Sequence, residues 1–305
     1  MTREKKSYFI GGIVICLLGA ICFSTKAIFV KLAYRDTAIE AVPLLALRMV
    51  FALPFFVVSA LVSSSQSDNK KFSLSQWFFI AVIGCLGYYV SSLLDFIGLQ
   101  YVSAGIERLI LFIYPTMVLL ISAQLLKVKI KPYQWMAVGI TYAGLLLAFV
   151  SEVRLEGARS NEFYMGAILI FGCAITYAFY IVGSGKIIPQ VGAAKFNSYA
   201  MSFACLGVLL HYFFTSDQSL FTFPSLVYWY SFSMALFSTV IPSYLVAEGI
   251  KRIGSDNAAI VGSVGPVSTI IQANIFLYDP ILALQIAGTI LVLLGVLIIG
   301  RTKSS

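Results

Sequence analysis

Apolar stretches of about twenty residues follow one another along this chain almost without pause, divided by short polar joints. Twenty residues, at about 1.5 Å of rise each, is the length a helix needs to cross the hydrocarbon of a bilayer. The pattern predicts ten spans: 8–30, 42–62, 76–99, 104–126, 133–151, 163–187, 197–214, 225–249, 256–277 and 281–300. The longest joints, 63–73 and 151–162, are too short for a soluble domain. The expected fold is an all-α integral membrane protein with ten transmembrane helices. The opening run MTREKKSYFIGGIVICLLGAICF begins like a signal peptide. Its apolar part is long, however, and no small-residue cleavage site follows, so it reads as an uncleaved first span.

Composition agrees. The 305 residues are 60% hydrophobic and 11% charged, against about 25% charged in soluble domains. The net charge of +8 does not imply a nucleic-acid partner, because the basic residues stand singly at the ends of apolar runs. With the N-terminus inside, the inner joints collect fourteen of them: Arg3, Lys5, Lys6, Lys70, Lys71, Lys127, Lys129, Lys131, Lys186, Lys195, Lys251, Arg252, Arg301 and Lys303. The outer joints collect four: Lys31, Arg35, Arg154 and Arg159. Lys and Arg accumulate on the cytoplasmic side of membrane proteins, so a cytoplasmic membrane location with both termini in the cytoplasm is expected. Five cysteines in apolar runs and a single histidine, His211, show no metal-ligand spacing. No metal or cofactor is expected, and the sequence sets no oligomeric state.

The chain also repeats itself. Gly98 precedes Pro115 by seventeen residues, as Gly249 precedes Pro266. The same offset of 151 carries Gln134 onto Gln285 and Gly144 onto Gly295, while Gly12 and Ala20 fall on Gly166 and Ala174 with an offset of 154. Two five-helix units are expected, 1–151 and 152–305. Five being odd, the second lies inverted in the membrane. The joint YVSAG has no Lys or Arg and its counterpart KRIGSD has two, whereas KVKIKP is basic and its counterpart YDP is not. Inverted repeats around a midplane site are a signature of secondary transporters.

These residues resemble the EamA-type members of the drug/metabolite transporter superfamily. The resemblance covers nearly the whole chain. It rests on the paired layout, on GLQYVSA through Tyr114–Pro115 and GIKRIGS through Gly265–Pro266, and on the last helix of each unit. It implies a proton-coupled or exchange-driven carrier of small organic metabolites, often an exporter, with a central cavity between the two units. One departure stands out: Lys127, Lys129 and Lys131 occupy the joint where family members often carry an acid.

Charges within hydrocarbon are expensive and mark functional or paired positions. Lys26, Arg48, Asp95, Glu107 and Arg108 all fall in the outer half of their spans, roughly 5–10 Å below the boundary at the helical rise. They form either a recognition and gating layer or structural pairs such as Arg48 with Asp95 and Arg108 with Glu107, with Lys26 and Arg108 able to snorkel. Asp95 and Glu107 are the candidate proton carriers. Pro115 and Pro266 predict matched helix kinks at mid-membrane, where freed backbone groups are tolerated beside a wet cavity. Tyr88, Tyr114, Tyr177 and Gln272 are candidate substrate contacts around that cavity, and Arg48 or Arg108 a candidate anchor for a substrate carboxylate.

The expected function is secondary active transport, by alternating access, of small metabolites such as amino acids or related zwitterions and anions. The partners expected are the metabolite, the lipid bilayer and coupling protons. The rival classes are weaker. Intramembrane proteolysis would call for a second deep Asp in a GxGD context or a GxSxG serine, and the chain has neither. A channel or scaffold lacks the continuous polar stripe that a pore requires.

Overall fold

The computed structural model describes residues 3–65, 72–125, 132–155 and 161–301. Every regular element among them is helical, and the helices fall into ten rods. These are α1 (Arg3–Thr37), α2 (Ala41–Ser65), α3 (Leu74–Tyr101), α4 (Ala104–Leu125), α5 (Pro132–Leu155), α6 (Asn161–Val191), α7 (Ala193–Thr215) and α8 (Ser225–Ile253). Then come α9 (Ser255–Val261 and Gly265–Leu277, joined by a 3-10 turn) and α10 (Ala283–Arg301). Seven of the ten, α1–α4 and α6–α8, are long and apolar enough to cross a membrane. The molecule is an all-α membrane protein. The joints with Lys70, Lys71, Lys127, Lys129, Lys131 and Arg159, and the tail with Lys303, lie outside the described residues.

Local chemistry sets the helix ends. Ser73 and Gln76 form a reciprocal cap at the start of α3, the Ser73 hydroxyl accepting from the Gln76 amide at 3.2 Å and the Gln76 side chain accepting in return at 2.9 Å. The Ser103 hydroxyl accepts from the Ile106 amide and caps α4. Gly192 and Gly254, at φ of +87° and +80°, make the tight turns into α7 and α9.

Four helices are irregular, in matched pairs. A π-helical turn interrupts α3 at Cys85–Val90 and α8 at Leu236–Val240. Each begins 151 residues from the other, the offset read from the sequence. α4 breaks at Phe112–Ile113 and α9 at Gly262–Val264. The breaks come just before Pro115 and Pro266, which sit in the first turn of the second half-helix. Proline's missing N–H costs nothing there. The prolines therefore start new half-helices rather than bending continuous ones.

The packing follows one scheme. α2 lies on α7, α4 on α9, and α5 on α10, while α1 lies on α8 and α3 on α6. Exchanging the first five helices with the last five maps each contact onto itself or onto another of the set. Small residues make the close crossings. A Cβ at Gly98 would meet Ile170 and the Gly166 carbonyl where α3 crosses α6, and one at Gly249 would collide with Cys16 where α8 crosses α1. Gly12 presses on Arg252 and Ile253, and its counterpart Gly166 on Tyr101 and Val102.

Candidate functional site

A cavity lies where these irregular segments meet. On α1, Cys16, Ala20, Phe23 and Lys26 recur every three or four residues and so share one face, which forms one wall. The π turn of α3 supplies Gly87 and Tyr88, followed by Ser91 and Ser92. The break in α4 supplies Phe112 and Tyr114, with Arg108 one turn earlier, and the break in α9 supplies Gly262 and Pro266. Cys173 and Tyr177 come from α6, and Arg48 from α2.

Aromatic rings give the cavity its shape. Tyr177 meets Tyr114 edge-on at 5.3 Å between centroids and Tyr88 at 6.4 Å, and Phe23 lies 6.3 Å from Tyr88. Behind them Tyr180, wholly buried, stacks on Tyr177 at 5.9 Å and meets Tyr88 edge-on at 5.0 Å. Only glycine at 87 leaves room for the Tyr180 ring. The Tyr114 hydroxyl reaches across to the Ala259 carbonyl at 3.2 Å and ties α4 to α9.

The intramembrane charges close one end of the cavity as a layer. The Lys26 ammonium stands 2.7 Å from Asp95 and 3.4 Å from Glu107. Both carboxylates are fully buried, and Lys26 is 9% exposed. Glu107 lies in the first turn of α4, where the helix dipole favours an anion. Arg108 donates to Ser24 at 3.0 Å, and Ser24 donates in turn to the Gly265 carbonyl at 3.1 Å, at the start of the second half of α9. Arg48, 1% exposed, donates from Nε to the Thr239 hydroxyl at 2.6 Å and lies 5.3 Å over the Phe96 ring. One of its terminal nitrogens has no hydrogen-bond partner. Among the described residues no carboxylate comes within 4 Å of either guanidinium.

Most of the residues singled out in the sequence come together here. Arg48, Tyr88, Arg108, Tyr114, Tyr177 and Pro266 line the cavity, and Asp95 and Glu107 stand directly behind Lys26. Pro115 is buried beside the α4 break but off the wall. Gln272 is not on the wall and donates to Ser268 on its own helix at 2.8 Å. The pairs Arg48–Asp95 and Arg108–Glu107 do not form. Lys26 takes both acids, because it sits on the face of α1 between α3 and α4. Burial of Lys26 and Arg108 also rules out snorkelling. Ser24, the hydroxyl partner of Arg108, carried no signal beyond being polar in an apolar run. Glu248 pairs with Lys251 and Arg252 at a helix end, and His211 bonds Tyr89, both away from the cavity.

Comparison with known proteins agrees with this architecture. The sequence model of the EamA-like transporter family matches residues 10–150 and again 164–301. The uncharacterized transporter YcbK of Bacillus subtilis is 32% identical over 284 residues, 91% of this chain and 88% of its own. Another Bacillus subtilis protein, the uncharacterized transporter YyaM, is 26% identical over 71% of this chain and 70% of its own. A solved crystal structure superposes with a TM-score of 0.70 over 96% of this chain and 98% of its own, at 17% identity, which shows a shared fold. The family match over both halves of this multi-pass helical fold makes it a membrane transporter. The chain belongs to the EamA-like transporter family.

Proposed function

We propose that this protein is a secondary active transporter, an exporter or exchanger, that carries small organic metabolites such as amino acids or related zwitterions and anions. It works by alternating access about the central cavity, with residues 1–151 and 152–305 as two inverted five-helix units and both termini in the cytoplasm. The observation that carries this reading is the placement of the cavity at the two matched helix breaks, Phe112–Ile113 and Gly262–Val264, so that its walls come from both units. A rocking motion between units would move those walls apart on one side and together on the other. Broken helices at membrane depth also leave backbone groups for a substrate or water to satisfy.

Asp95 and Glu107 are proposed as the proton carriers. Two carboxylates share one ammonium in a dry setting, so one of them can take a proton while Lys26 keeps the other as its partner. Arg48 and Arg108 are proposed as the substrate anchors. The test is uptake into proteoliposomes of a metabolite panel, with and without an imposed pH gradient. Accumulation of at least one compound that collapses with the gradient is the expected result. Gradient-independent equilibration of every transported compound refutes proton coupling, and absence of any saturable flux refutes the carrier reading.

A further inference from the structure

We infer, on the carrier reading above, that the cavity is built for a monoanion: a carboxylate on an apolar, aromatic-sized body with no cationic group. Zwitterionic amino acids are then the poorer ligands. Charge counting carries the first part. Three cations, Lys26, Arg48 and Arg108, line the cavity, and two carboxylates, Asp95 and Glu107, stand behind it. With both acids ionised the layer holds one positive charge without a partner. A buried charge without a partner is costly, and a single negative charge on the substrate removes that cost.

Geometry says where the anion goes. Lys26 is already held by both acids. Arg108 donates to Ser24, which in turn bonds the Ala20 and Gly265 carbonyls, and keeps one nitrogen, Nε, without a partner. Arg48 lines the cavity, spends Nε on Thr239 and has one buried terminal nitrogen without a partner. Its guanidinium is fixed by Thr239 below and Phe96 beneath its face, so the fork is already oriented for a carboxylate.

The same wall argues against an ammonium group. No carboxylate lines the cavity among the described residues. Tyrosine faces attract cations, but three cations on the same wall repel one. A phosphate monoester carries close to two negative charges at neutral pH, more than the single unmatched cation balances. Phe23, Tyr88, Phe112, Tyr114 and Tyr177 supply the aromatic part of the wall and suit a flat apolar body.

Binding of 3-phenylpropanoate, L-phenylalanine, phenethylamine and phenyl phosphate to the purified protein in nanodiscs, by calorimetry and thermal shift, tests this. The expected order places 3-phenylpropanoate first, at least about tenfold tighter than L-phenylalanine, the scale of a charge-assisted hydrogen bond. In Arg48→Gln, checked as monodisperse, that advantage should vanish, and Arg48→Lys should lose most of it. Equal or tighter binding of phenylalanine, phenethylamine or phenyl phosphate overturns the assignment, as does no binding of 3-phenylpropanoate. Wild-type affinity in folded Arg48→Gln overturns it too. If Arg48→Gln does not fold, the wild-type ligand order decides alone. Flux separates the two readings. Bound 3-phenylpropanoate that never crosses proteoliposomes refutes the carrier and leaves the anion site standing. Saturable phenylalanine flux without 3-phenylpropanoate binding does the reverse.

Discussion

Lys26 and Asp95 make the shortest ion pair in the layer, 2.7 Å between a 9%-exposed ammonium and a fully buried carboxylate. Because the same ammonium lies 3.4 Å from Glu107, one side chain on α1 fixes α3 and α4 against it. Removing one partner of a buried pair leaves an uncompensated charge and costs about 3–5 kcal/mol. Lys26→Met should therefore lower the melting temperature of the solubilised protein sharply. The triple variant with Asp95→Asn and Glu107→Gln should recover much of the loss, since it removes the stranded charges. A single variant that melts like wild type means the pair does not hold the helices.

The two acids should differ from Lys26 in what their loss does. Asp95→Asn and Glu107→Gln keep shape and remove the titrating proton, so folded protein is expected. If either residue carries the coupling proton, its amide variant should still exchange substrate across proteoliposomes at equal concentrations but no longer accumulate it against a gradient. Wild-type pH dependence in both variants would move the coupling site elsewhere.

Much of this was written in the sequence. Twenty-residue apolar runs specified helices, since a bilayer allows little else, and Pro115 and Pro266, 151 residues apart, marked where α4 and α9 break, whereas the π turns carried no such marker. The charged residues at depth were also visible, and they do share one layer. Their partners were not. Which acid meets which base depends on the rotation of each helix about its axis, and an apolar membrane helix such as α1 has no polar face to report that rotation. Lys26 thus looked free to snorkel although it is the centre of the layer. Gln272 shows the same limit: read as a substrate contact, it donates to Ser268 on its own helix.

The direction of the whole molecule rests on counting eighteen basic residues in the joints, seven of them outside the described residues, so it calls for a direct measurement. In a background with the five cysteines replaced, Val128→Cys, between Lys127 and Lys129, should react with a membrane-impermeant maleimide only after the membrane is opened. Labelling from intact cells would invert the assignment and place the charged end of the cavity on the inner side.

Two glycines in the cavity wall make a contrasting pair. At Gly87 an added Cβ would run into Cβ and Cγ of Tyr180, the root of a wholly buried ring that has nowhere to go. Gly87→Ala should destabilise by about 1–3 kcal/mol, the usual cost of overpacking, and no change at the Tyr180 hydroxyl should rescue it. At Gly262 the added Cβ would meet only the tip of Tyr114, its hydroxyl. That hydroxyl is also the donor to the Ala259 carbonyl, so Gly262→Ala should disturb the tie between the two broken helices rather than the core. Tyr114→Phe removes the clashing atom. Adding Gly262→Ala to Tyr114→Phe should then cost far less than adding it to wild type, and Gly87→Ala should cost the same in either background. Melting temperatures of the double-mutant cycles measure this directly. Equal cost of Gly262→Ala with and without the Tyr114 hydroxyl would show that the two breaks do not meet through that contact.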